Sequence, residues 1–122
     1  MTRGPQPVAV HADAVAIAQR RGTVRRFVRE SGDLCDLVIL GADRLVIVRI
    51  RRIRRLHCTL QEIGQQFRES IDSLRGIVSA GMITKELWVC SYNGSWRFFR
   101  VTDDSLAELG CDGSPIGSGG QV

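Results

Sequence analysis

Five arginines lie close together in the stretch from residue 44 to residue 58, RLVIVRIRRIRRLHC. They are Arg49, Arg51, Arg52, Arg54 and Arg55. A guanidinium group stays charged at neutral pH and donates paired hydrogen bonds in the geometry that a phosphate accepts. A row of arginines is therefore suited to contact the backbone of a nucleic acid.

A second group of arginines precedes this stretch and includes Arg25 and Arg26. Residues 20–55 contain eleven arginines and four acidic residues, whereas residues 56–122 contain five basic and eight acidic residues. The formal net charge of the chain is +4. A basic half of this kind predicts a nucleic acid as the partner, with an acidic protein as the alternative. We therefore predict phosphate contacts from Arg25, Arg26 and the five arginines above.

Alternation along the same stretch predicts a β-strand with two different faces. One face carries Val46, Val48 and Ile50, and the other carries Ile47, Arg49 and Arg51. Arg52, Arg54 and Arg55 are expected to leave the strand and enter a loop. The alternative to a binding role is a solvated charged face, since half-exposed strands commonly have a polar side.

Other kinds of reactive site have little support in the sequence. His57 and Cys58 do not combine with Cys35 or Cys90 in any zinc-site spacing. No serine or cysteine stands in a nucleophile motif, and no glycine-rich phosphate loop occurs. We therefore predict no metal site and no cofactor, and expect the two or three cysteines that lie inside apolar strand patterns to be reduced core residues.

Length and composition fit one folded domain. The chain has 122 residues, of which 43% are hydrophobic and 25% charged. We predict a flexible lead-in at residues 1–10, a domain at residues 11–109 and a flexible Gly/Ser-rich tail at residues 110–122. No apolar run is long enough to span a membrane, and the N-terminus lacks the apolar core of a signal peptide, so we expect a cytoplasmic protein without membrane contact.

The elements that must position the arginines begin with a helix. Helix formers in ADAVAIAQRRG predict it, with a cap at Asp13 and a stop at Gly22. Three strands follow at short intervals and predict an antiparallel meander. Their sequences are TVRRFVRE, LCDLVIL and RLVIVRIRR.

A long helix is predicted next. Apolar residues recur at steps of three and four, at Leu60, Ile63, Phe67, Ile71, Leu74 and Val78. Thr59 and Glu62 have the spacing of a capping box, and Gly81 is expected to end the helix. Gly64 suggests a close approach to the sheet, since glycine costs about 1 kcal/mol relative to alanine inside a helix.

The segment KELWVCSYNGSWRFFRV predicts a β-hairpin. Asn93-Gly94 favours a two-residue type I′ turn, which would place Trp88 opposite Phe99. The aromatic residues Trp88, Trp96, Phe98 and Phe99 are expected in a core or an interface, with base stacking as the alternative. The segment TDDSLAEL predicts a short closing helix. The expected fold is α/β (α+β), a central mixed sheet of about five strands flanked by helices, in the order αβββαββ.

This order of elements, with Asp36 on the second strand and VIVRIRR on the third, resembles the PD-(D/E)XK, or restriction-endonuclease-like, nuclease superfamily. The similarity is strongest to its archaeal Holliday-junction-resolvase-like members and covers about residues 12–101. The resemblance implies a restriction-endonuclease-like fold, DNA as the nucleic acid and a homodimer. In that superfamily an Asp on one strand and a Glu-x-Lys on the next hold divalent metals and steady the attacking water.

The motif in this chain is degenerate. Asp36 stands at the Asp position, while Arg49 and Arg51 replace the Glu and the Lys. Arg51 keeps a cation for phosphate. Arg49 replaces a metal ligand with a positive charge, so we expect Asp36 to pair with an arginine and not with a metal.

A migrated acidic ligand would restore a metal site. In some members of the superfamily this ligand lies on the helix after the third strand, where Glu62 stands one turn in. Glu30, Asp33 and Asp13 are further candidates. The catalytic set would then be Asp36, Arg51 and Glu62, with Mg²⁺ as the metal.

Three functions follow from these observations. The first is a nucleic-acid-binding protein with a nuclease-like fold and no catalysis. The second is an active metal-dependent endonuclease or resolvase. The third is a protein-interaction or structural module that binds an acidic partner through its arginines.

Overall fold

A computed structural model of the chain describes residues 8–26, 37–41, 44–77 and 82–116. Within these ranges the helices are α1 (Val8–Gln19), α2 (Leu60–Gln66) and α3 (Arg68–Arg75). The strands within them are β1 (Thr23–Arg26), β2 (Leu37–Leu40), β3 (Leu45–Ile53), β4 (Ile83–Ser91), β5 (Trp96–Val101) and β6 (Leu106–Leu109). None of these helices is long and apolar enough to cross a membrane.

The six strands form one sheet in chain order, from β1 at one edge to β6 at the other. β3 and β4 run parallel, and every other neighbouring pair is antiparallel. A parallel pair needs a crossover connection, and the segment containing α2 and α3 supplies it. The predicted mixed sheet flanked by helices, which opens with an antiparallel meander, is therefore confirmed.

Helices pack on both faces of the sheet. On the face covered by α1, the buried residues Ala14 and Ala18 join a core cluster with Val46, Val48 and Ile50. On the face covered by α2 and α3, Ile47 joins a second cluster, with Ile63, Phe67, Ile71 and Leu74 among its members. We call these the α1 face and the α2–α3 face. The predicted division of β3 into two faces is confirmed, and both faces are largely buried.

The first helix differs from the prediction at its start. α1 begins at Val8, so Asp13 is an exposed residue inside the helix and does not cap it. Gly22 follows the helix and lies against β2, where an added Cβ would stand 2.6 Å from the Leu40 carbonyl oxygen. The absence of a side chain at Gly22 therefore lets the chain enter β1 close to its neighbour.

The predicted long helix is divided at Phe67 into α2 and α3. The capping box is confirmed, since Glu62 N–H donates to Thr59 Oγ1 at 3.1 Å and Thr59 N–H donates to Glu62 Oε1 at 2.7 Å. The predicted approach of Gly64 to the sheet is wrong, because a Cβ added there would meet no atom within 4 Å. α3 ends at Arg75, and the predicted stop at Gly81 lies outside the described residues.

The hairpin of β4 and β5 is confirmed, but its predicted register is wrong by one residue. Trp88 pairs with Phe98 and not with Phe99. A type I′ turn would need positive φ at Asn93, yet in the described chain only glycines, among them Gly94 at φ +94°, have it. Gly94 N–H donates to Ser91 O at 3.1 Å, which closes a three-residue loop, residues 92–94. A type I turn followed by a left-handed glycine has this form.

The predicted closing helix is wrong. Leu106–Leu109 form β6, which pairs antiparallel with β5. Leu106 packs in the cluster of the α2–α3 face, and Leu109 packs in the cluster of the α1 face. Residues three apart point the same way on a helix and opposite ways on a strand, so burial on both sides of the sheet favours the strand.

Candidate nucleic-acid interface

The arginines of β3 are divided between the two faces and the end of the strand. Arg49 and Arg51 lie half-buried on the α2–α3 face, and Arg52 lies half-buried on the α1 face. Arg54 and Arg55 follow the end of β3 at Ile53 and are exposed. The structure therefore does not gather all five arginines on one surface.

Arg51 is anchored to the helical layer. Its Nε donates to Ser70 Oγ on α3 at 2.9 Å, and its Nη1 donates to the Ile50 carbonyl at 2.7 Å. Ser70 is itself buried. Arg51 thus ties β3 to α3, and its phosphate contact stays a prediction.

Arg25 shares the α2–α3 face with Arg49 and Arg51. It pairs with Val38, and Val38 pairs in turn with Ile47. Directly paired residues point to the same side of a sheet. Arg25, which is exposed, therefore lies on the same face as Ile47, and β1 is two strands from β3. Arg26 is also in β1, and its side chain lies outside the described part of the chain.

The end of β3 lies beside the hairpin loop. Parallel pairing sets Ile53 next to Ser91, the last residue of β4. The guanidinium carbon of Arg52 stands 4.1 Å from the centroid of the Tyr92 ring, in a cation–π contact. Tyr92 is 63% exposed. We call Arg52, Arg54, Arg55 and Tyr92 the arginine–tyrosine tip.

The tip is cationic and uncompensated within the part of the chain that the structure describes. No ion pair joins Arg52, Arg54 or Arg55 to a described carboxylate.

Cys90 lies behind the tip and is buried. Burial raises the pKa of its thiol, while Arg52 lowers and Asp13 raises that pKa to a lesser extent. Cys90 is therefore an inert core thiol at neutral pH, as the sequence predicts.

Two other arginines are fully paired. Arg21 donates from Nη1 to Glu86 Oε1 at 3.0 Å and from Nη2 to Glu86 Oε2 at 2.7 Å, and Trp88 Nε1 donates to Glu86 Oε1 at 2.9 Å. Arg97 donates from Nε and Nη2 to the Glu108 carboxylate at 2.8 Å, and these hydrogen bonds raise the pKa of Arg97. These two pairs hold the fold together. Sequence reasoning missed the Arg21–Glu86 pair, whose members are 65 positions apart.

A cavity of about 430 Å³ lies near the beginning of β3. Its lining includes the arginines Arg20, Arg21 and Arg44 and the apolar residues Ile39 and Val46. Arg20 and Arg44 are exposed and have no ion pair with a described residue. The basic half of the sequence is thus distributed between the two ends of β3.

The predicted catalytic set of Asp36, Arg51 and Glu62 is only partly within the described residues. Asp36 lies outside them, as do Glu30 and Asp33. Glu62 is exposed at the start of α2, which contacts β6. Among the described residues no group of three or more His, Cys, Asp or Glu could hold a metal ion.

The predicted aromatic core is confirmed for Trp88, Phe98 and Phe99, which are buried, while Trp96 is half-buried against them. Trp88 and Phe98 make an edge-to-face contact at 5.1 Å. Sequence reasoning missed Tyr92. The signal available for it was its position immediately before Asn93-Gly94, in the turn of the predicted hairpin.

No protein-family model matches the chain, and no curated protein is similar to it at a significant level. Among solved structures, the chain is similar to Archaeoglobus fulgidus Hjc, a Holliday junction resolvase from an archaeal hyperthermophile. The two share 14% sequence identity and superpose with a TM-score of 0.48 over 78% of this chain and 77% of that chain. The candidate interface rests on the contacts described above and not on this similarity.

Proposed function

We propose that this chain is a nucleic-acid-binding protein with a restriction-endonuclease-like fold that contacts the phosphate backbone and does not cleave it. The arginines of the arginine–tyrosine tip, Arg52, Arg54 and Arg55, make the principal contacts. We propose further phosphate contacts from Arg25, Arg49 and Arg51 on the α2–α3 face, and from Arg26. DNA is the nucleic acid that we expect.

The observation that supports this proposal most strongly is the difference between two classes of arginine. Arg21 and Arg97 each face a carboxylate in a two-point pair. Arg54 and Arg55 are exposed, follow each other along the chain and have no such partner among the described residues. Like charges held side by side repel each other, and binding of a polyanion relieves that repulsion.

The absence of cleavage is proposed from the residues that stand at the family's metal-binding positions. Arg49 brings a positive charge where a carboxylate would hold a divalent ion. Glu62 is engaged at the start of α2, where its carboxylate accepts the Thr59 N–H. Arg51 is bound to Ser70. Glu62 and Arg51 thus make contacts that do not involve a metal, and the positive charge of Arg49 is unsuited to a metal ligand.

A salt titration of binding tests the proposal. We expect the protein to bind labelled DNA at low salt, with little dependence on sequence, and log affinity to fall linearly with log salt concentration. Each phosphate contact contributes about 0.9 to the slope on duplex DNA. Absence of binding to duplex, branched and single-stranded DNA or RNA at low salt would remove the proposal.

The absence of cleavage is tested separately. Branched and linear DNA are incubated with the protein and Mg²⁺ or Mn²⁺, and we expect the strands to stay intact under conditions where binding is saturated. Cutting that is abolished by Asp36→Ala would contradict the proposal and establish the protein as a metal-dependent nuclease.

A further inference from the structure

We propose that Tyr92 is a stacking site for an unpaired base, so that the ligand class is nucleic acid with unpaired bases close to the bound phosphates. This inference rests on the proposed function and adds a substrate class to it. Its basis is the position of an exposed aromatic ring beside three arginines that form no ion pair with a described carboxylate.

Tyr92 differs from the other aromatic residues that the structure describes. Trp88, Phe98 and Phe99 are buried, and Trp96 is half-buried in the core of the α1 face. Tyr92 is 63% exposed, in the loop of the hairpin. An aromatic side chain with this exposure contributes little to the core, and its ring face is available to a base.

The hairpin loop holds Tyr92 in a defined place. Ser91 Oγ is hydrogen-bonded to Asn93 Oδ1, and Ser95 N–H donates to Ser91 Oγ at 3.1 Å. Ser91 N–H donates to Ser95 O at 2.8 Å and closes the end of the β-ladder. A loop ordered by these bonds presents its side chain with little further loss of conformational entropy on binding.

Arg52 supports one face of the Tyr92 ring. Its guanidinium carbon lies 4.1 Å from the ring centroid, the separation of a stacked cation–π pair. A ring has two faces, and the exposure of Tyr92 leaves the second one for a ligand. The order Arg52, Tyr92, base would be a continuous stack, since arginine and nucleobases both stack on aromatic faces.

The neighbouring arginines define what kind of nucleic acid fits. Arg54 and Arg55 emerge from the end of β3 beside Ser91, so the phosphate-binding groups and the stacking ring lie at the same end of β3 and β4. In a duplex the bases are stacked inside and only phosphates reach such a surface. A single strand or a flap offers both an unpaired base and a phosphate, which predicts tighter binding to those forms.

Substitution of Tyr92 tests the inference. Fluorescence anisotropy compares a labelled single strand with the same strand annealed to its complement, for the wild type and for Tyr92→Ala and Tyr92→Phe. Tyr92→Ala should weaken single-strand binding by about fivefold or more and leave duplex binding unchanged. Tyr92→Phe keeps both ring faces and should retain the wild-type affinity for both ligands.

The other outcomes are decisive too. Equal effects of Tyr92→Ala on both ligands, or none on either, would overturn the stacking site while leaving phosphate binding intact. If the wild type binds neither the single strand nor the duplex, the proposed function itself is overturned. If Tyr92→Ala melts below the wild type, Tyr92→Leu replaces it, because leucine fills the same loop position without a ring and should show the same selective loss.

Discussion

At the scale of single residues, Glu86 is the most constrained acid that the structure describes. Its side chain is 1% exposed, and it accepts two hydrogen bonds from Arg21 and one from Trp88. The Arg21 side chain is 11% exposed. An ion pair this deep stabilises the fold mainly because either partner alone would be a buried charge without compensation.

Replacement of Glu86 should therefore destabilise the protein strongly. We expect Glu86→Ala to lower the free energy of unfolding by about 3–5 kcal/mol, as measured by urea denaturation. Glu69→Ala is the matched control, because Glu69 is exposed on α3 and its loss should change stability by no more than about 0.5 kcal/mol. Equal effects of the two substitutions would show that the Arg21–Glu86 pair is not the structural anchor described above.

At the scale of elements, the sequence pattern predicts β3 well because alternation is a local property. Val46, Val48 and Ile50 face one side and Arg49 the other, as the period of two requires. The pairing of β4 with β5 depends on one more fact, the number of residues in the loop. Asn93-Gly94 fits a two-residue loop and a three-residue loop alike, so the sequence alone could not fix the register.

The candidate site shows the same limit. The arginines after β3 are visible as a charge run, whereas their proximity to Tyr92 follows from the parallel pairing of β3 with β4 across the α2–α3 crossover. The Leu106–Leu109 segment also depended on tertiary packing, since burial on both faces overrides its helical composition. Contacts between distant segments are what local patterns cannot supply.

The loop that carries Tyr92 should be sensitive to substitution of its glycine. Gly94 has φ +94°, where a Cβ is strained, so Gly94→Ala should lower the free energy of unfolding by about 1–2 kcal/mol. Gly76→Ala is the control, because Gly76 has φ −73° and an added Cβ would make only ordinary contacts. That control should be neutral or stabilising by up to about 1 kcal/mol. Equal losses in thermal denaturation would contradict the turn geometry.

At the scale of the whole molecule, the fold places arginines from the basic half of the sequence at both ends of β3. Arg20 and Arg44 line the cavity near the beginning of β3, and Arg54 and Arg55 follow its end. A nine-residue strand spans about 30 Å. The two pairs of arginines therefore carry the same charge at opposite ends of β3. Substitution of one pair or the other can distinguish a local binding surface from a general effect of net charge. The predicted homodimer and the cytoplasmic location stay predictions.

The central claim is that the arginine–tyrosine tip is the phosphate-binding surface. The most direct measurement is the salt dependence of DNA binding by the double variant Arg54→Ala/Arg55→Ala beside Arg20→Ala/Arg44→Ala, which removes the same charge at the other end of β3. We expect the first variant to bind more weakly, with a log–log slope reduced by about 1 for each arginine, and the second to retain most of the wild-type slope. Equal losses in the two variants, or a larger loss at Arg20 and Arg44, would contradict the account.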